Sequence, residues 1–201
     1  MALTPEAVLA ELDLRLPEAS GSWRSAALRQ VVDLFLGGAP FYTAAQVALF
    51  DEVIGRLMQN ADRAQLAELS NRLAPIPNAP VKVVGRLARQ MDAAISGPIL
   101  QQSMALADND LVEMADKDRV DLNLLMKIAL RPLLSPAVTD VLLRRGDKAV
   151  QRSVVDNPQA RISEGGFARV IMGIEGDKNF AAAIAARDDL PSELRLWLAN
   201  T

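Results

Sequence analysis

Four apolar residues, Leu106, Leu134, Ile162 and Leu190, recur at a constant interval of 28 residues. Eight positions after each stands Met114, Leu142, Val170 or Leu198, and the next residue is Ala115, Leu143, Ile171 or Ala199. The residue after each anchor is Ala107, Ser135, Ser163 or Pro191, mostly types that begin helices. A fixed period of this length is the mark of a repeat architecture, in which each unit buries its apolar face only against its neighbours. It constrains the fold more than any other property of the chain.

The central unit reads as two helices. Ser135 is suited to an N-cap, and Pro136 to the first helical position, where its missing N–H leaves nothing unpaired. Val138, Val141 and Leu142 follow at helical spacing, and Gly146 breaks the run. A second segment, Lys148 to Asp156, carries Val150, Val154 and Val155. Asn157-Pro158 ends it, because a residue before proline is driven out of the α region. Helices this short are unstable alone; stacked in pairs they form an α-solenoid. The next unit is less regular, since its turn Gly173-Ile174-Glu175-Gly176-Asp177 is longer than Arg145-Gly146-Asp147. Ser192 to Asn200, with Leu194, Trp197 and Leu198 in helical register, reads as the first helix of a further unit. The expectation is an array continuing beyond Thr201, with self-association through that helix as one route to cover its apolar face.

Earlier in the chain, Thr4-Pro5 opens a short helix to Asp13, and Pro17 to Ser22 is a linker. Trp23 to Leu36 reads as a helix with Leu28, Val31, Val32 and Phe35 on one face, stopped by Gly37-Gly38. Thr43 and Gln46 form a capping-box pattern. The helix they open reaches about Asn60, with Val47, Phe50, Ile54, Leu57 and Met58 inward. Asp62 caps another, with Leu66, Leu69 and Leu73 as its stripe. The segment Ala74-Pro75-Ile76-Pro77-Asn78-Ala79-Pro80 is a stiff connector, and the domain boundary is placed there. The expected organisation is an N-terminal helical bundle over 1–79 and HEAT-like helical repeats over 80–201, opening with Val84, Leu87, Ala88 and Met91. No alternating strand pattern of useful length occurs, so the fold class is all-α.

The run Leu28-Arg29-Gln30-Val31-Val32-Asp33-Leu34-Phe35-Leu36, the run Gln46-Val47-Ala48-Leu49-Phe50-Asp51-Glu52-Val53-Ile54, and Arg187-Asp188-Asp189-Leu190-Pro191 resemble an uncharacterised alphaproteobacterial family, domain of unknown function 2336. The resemblance runs from about Ser25 onward, and the repeats also resemble HEAT-like and leucine-rich-variant units. It implies the helical fold and a longer natural chain, and it carries over no functional residue. Members of that family often have a histidine before an Ile-Ala-x-Arg segment, here Ile184-Ala185-Ala186-Arg187; this chain has no histidine.

Composition narrows the chemistry. With no cysteine and no histidine, thiolate nucleophiles, disulfides, the usual zinc sites and histidine acid–base catalysis are excluded. The formal charge of −3 falls wholly in residues 1–79; residues 80–201 balance at 16 basic and 16 acidic side chains. That balance argues against a dedicated nucleic-acid binder. Early acids and the lack of a long apolar run argue against a signal peptide or membrane span, so the expected location is cytoplasmic. Asp108 to Asp118 is acidic, but a calcium loop would need a glycine where Glu113 stands and a glutamate where Arg119 stands. It reads instead as a solvated helix N-terminus. The glycines Gly165, Gly166 and Gly173 form no phosphate-binding fingerprint.

Arg144, Arg145, Lys148 and Arg152 are the densest basic group and the candidate site for an anion or an acidic partner. The competing reading is a charged rim balanced by Asp140, Asp147 and Asp156. Arg131 and Arg187, at equivalent repeat positions, suit a structural role on helix-end carbonyls, and Trp23 and Trp197 read as packing residues. The expected function is a non-enzymatic protein-interaction or scaffold module without cofactor or metal. The alternative is binding of nucleic acid or another polyanion on the same surface.

Overall fold

The computed structural model describes residues 21–117, 121–174 and 176–199. The helix expected from Pro5 to Asp13 lies outside them. The described residues form twelve α-helices and no strand, with an isolated parallel bridge between Leu134 and Ala160. The chain divides into two compact units, Met1–Leu106 and Ala107–Thr201.

In the first unit the helices are α1 (Gly21–Gly38), α2 (Ala44–Leu57), α3 (Arg63–Leu73), α4 (Val81–Ala88) and α5 (Ala93–Gln102). Short 3-10 turns, Ala39–Phe41 and Met58–Asn60, follow α1 and α2. Both expected caps form: Thr43 and Gln46 close a reciprocal box on α2, and Asp62 and Gln65 close one on α3. The core is aromatic where α1 meets α2. Phe35 packs edge-on against Phe50 at 5.2 Å, and Tyr42 covers Phe50 at 5.0 Å. The Tyr42 hydroxyl donates to the Leu34 carbonyl at 3.0 Å, pinning the turn back on α1. α4 begins at Pro80, which has no capping side chain. Buried Asp51 of α2 supplies the cap instead, accepting from the N–H groups of Lys82 (3.0 Å) and Val83 (2.8 Å).

One expectation differs here. Met91 does not join the α4 stripe; α4 ends at Ala88, so Met91 sits in the turn, fully exposed, and Val83 takes the inward place. The proline-rich connector at 74–80 lies inside the first compact unit, because α4 packs on α2 and α3, and α5 packs on α3 and α4.

The second unit contains α6 (Asp108–Ala115), α7 (Leu122–Ala129), α8 (Pro136–Arg145), α9 (Lys148–Asp156), α10 (Glu164–Met172), α11 (Lys178–Ala185) and α12 (Ser192–Ala199). α6, α8, α10 and α12 start at 108, 136, 164 and 192, the same 28-residue interval as the anchors. The packing is two-rowed. α6, α8, α10 and α12 each pack on the next of that set, and α7, α9 and α11 do the same alongside. The anchors Leu106, Leu134, Ile162 and Leu190 are all buried, as are Met114, Leu142 and Val170 in the second column and Ala115, Leu143 and Ile171 in the third. Burying side chains of this size contributes about 1.5–3 kcal/mol each before entropy is set against it.

Gly166 lets two neighbours of one row close up. A Cβ there would stand 3.0 Å from both Asp140 Oδ1 and Ile162 Cγ2. The long turn after α10 reverses through Gly176 at φ 82°, a left-handed conformation that glycine adopts without strain. The acidic stretch is the start of α6, with Asp108 and Asp110 in its first turn, where they face the positive helix end. One cap departs from expectation: Ser135 occupies the N-cap position of α8, but its hydroxyl makes no capping bond and is buried without a partner. Ser163, one period later, does cap α10, accepting from Gly166 N–H at 2.9 Å.

Candidate functional site

The polar chemistry of the second unit gathers on the loops that lead from one helix pair to the next. These loops are bonded to one another in sequence. Arg161 N–H donates to the Leu134 carbonyl at 2.9 Å, and Asn157 Nδ2 donates to the Arg131 carbonyl at 2.8 Å. Thr139 Oγ1 donates to the Arg161 carbonyl at 2.7 Å. The following loop is tied down by Arg187, only 9% exposed. Its Nη1 donates to the carbonyls of Val155 (2.9 Å) and Asn157 (2.8 Å), and its Nη2 to Ala160 O (2.5 Å) and Asp189 Oδ2 (2.9 Å). Its Nε donates to Asp189 Oδ1 at 2.8 Å. A guanidinium has five N–H donors, and here each has an acceptor. Arg187 is therefore a clamp on helix-end carbonyls, the role expected for it, and has no donor left for a ligand.

Asp189 completes the clamp. Its partial burial pushes the carboxyl up, but the bonds and charge of Arg187, with the Ile162 N–H, outweigh that and hold it below the usual carboxylate range. Arg131, one of the two equivalent arginines, is buried as well. Burial pushes its guanidinium down, and the charge of Asp108 partly opposes this.

The basic group separates into individual partnerships. Arg144 Nη2 pairs with Asp116 Oδ1 at 2.9 Å, and Arg145 Nη2 donates to the Lys117 carbonyl. Arg152 Nε pairs with Asp156 Oδ2 at 3.1 Å, and its guanidinium carbon lies 5.8 Å from the Phe180 ring centre. Lys148 is exposed at the start of α9. Of the three counter-charges expected, Asp156 serves, through Arg152. Asp140 accepts from Ser163 Oγ at 2.6 Å, and Asp147 caps α9 through Val150 N–H at 3.0 Å. Asp116 and Lys117 stand 28 residues before Arg144 and Arg145. The repeat period was thus the signal by which the sequence could have located both partners, since residues one period apart meet on adjacent units.

A feature not anticipated from sequence lies beside the clamp: an open cleft of about 480 Å³ between the end of α9 with its loop and the end of α11 with its loop. Val155, Ala160, Ala183 and Ala186 are among its apolar lining residues, and Asp156, Gln159, Arg161, Asp188 and Asp189 are polar ones. Among the described residues, the side chains of Gln159, Arg161 and Asp188 form no hydrogen bond or ion pair. α12 packs on α10 and α11, leaving Leu196 68% and Trp197 49% exposed. Among the described residues, no group of His, Cys, Asp and Glu could hold a metal ion, and no helix is long and apolar enough to cross a membrane.

Neither the curated proteins nor the solved structures include a match to this chain. A bacterial family model does match, over residues 95–201, which takes in the whole second unit but neither the 28–36 nor the 46–54 run. Given that span, the chain belongs to the family described as an uncharacterised protein conserved in bacteria, domain of unknown function 2336.

Proposed function

We propose that the chain is a non-enzymatic protein-interaction module whose second unit is a short solenoid of HEAT-like helical hairpins. The observation that carries this reading is the two-row packing of α6 to α12 with the loops bonded in series. Such stacking presents one helix of each pair on a continuous surface, the form in which solenoids bind partners. Arg144, Arg145 and Arg187 are engaged in bonds between neighbouring units. The polyanion alternative has less support, since Arg144, Arg145 and Arg152 already have acceptors.

The test places a photo-crosslinking amino acid at exposed positions of each helix row, in a bacterial host that encodes the protein. A discrete protein adduct from one row, with no retention of oligonucleotides near physiological salt, supports the module. Nucleic-acid binding that weakens steeply with salt and vanishes when Arg144, Arg145, Lys148 and Arg152 are all changed to Glu overturns it.

A further inference from the structure

We draw no further inference here: the strongest candidate, the apolar surface that Leu196 and Trp197 expose on α12 at the end of the row formed by α6, α8, α10 and α12, carries nothing, because nothing in the structure shows what covers it.

Discussion

Arg187→Met should be among the most damaging single changes available in the second unit. The arginine is 9% exposed, and three of its five acceptors are main-chain carbonyls, those of Val155, Asn157 and Ala160. Val155 and Ala160 are themselves buried, so water does not readily replace the lost donor. A bond from a charged donor is worth about 1.5–3 kcal/mol, and a buried polar group left unpaired costs about 1–3 kcal/mol. These terms do not add. Asp189 is 39% exposed, and solvent will rescue much of its charge. The expected net loss is about 3–5 kcal/mol, the range for breaking a buried charged contact by removing one partner. Arg187→Lys keeps the charge but cannot fork onto carbonyls of two loop segments, so it should lose about half as much.

Guanidinium denaturation at neutral pH, followed by far-ultraviolet circular dichroism, measures the effect. A parallel fluorescence experiment in a Trp23→Phe background leaves Trp197 to report on the second unit alone. Amide hydrogen exchange adds a local readout: Arg161 N–H, bonded to the Leu134 carbonyl, should lose protection when the clamp is removed. A methionine variant within about 1 kcal/mol of the parent, with Arg161 still protected, would refute the clamp argument.

Three further outcomes are expected. The Asp189 carboxyl is held low in the folded state, so its contribution is present above about pH 4, the ordinary carboxylate value, and is lost as pH falls through the folded value; Asp189→Asn should flatten the acid limb of a stability–pH curve. Leu142→Ala, at a fully buried position of the second column, should cost about 2–5 kcal/mol in the same denaturation assay, and parent-like stability would remove Leu142 from the core. Asp51→Ala strips the start of α4 of the acceptor for Lys82 and Val83 N–H and should cost about 1–3 kcal/mol, while Asp51→Asn, which keeps one acceptor, should lose less; equal losses would show that the cap is not what Asp51 contributes.

What the sequence made legible follows the range of the physics involved. Caps within three residues of their target, such as Thr43 with Gln46 and Asp62 with Gln65, could be read directly, because both partners lie in one local pattern. The same holds for the end of α8 at Gly146 and the bounds of α9, set by Gly146-Asp147 and Asn157-Pro158. Asp51 could not be read. Its carboxylate acts on N–H groups 31 and 32 residues away, and nothing within α2 distinguishes it from a solvent-facing acid. Ser135 failed for a related reason: its type and place are those of a cap, but tertiary packing buries its hydroxyl without a partner. In the second unit, distance along the chain is less of an obstacle, because the period converts it into proximity. Arg144 to Asp116 and Arg145 to Lys117 follow from subtracting 28. The five acceptors of Arg187 depart from that rule, since the arginine reaches back 32, 30 and 27 residues to three carbonyls and forward two to Asp189. Carbonyls leave no trace in side-chain pattern. A clamp built on them can be anticipated in kind, as a repeated arginine at helix ends, while the cleft it holds open emerges only once two successive loops are placed side by side.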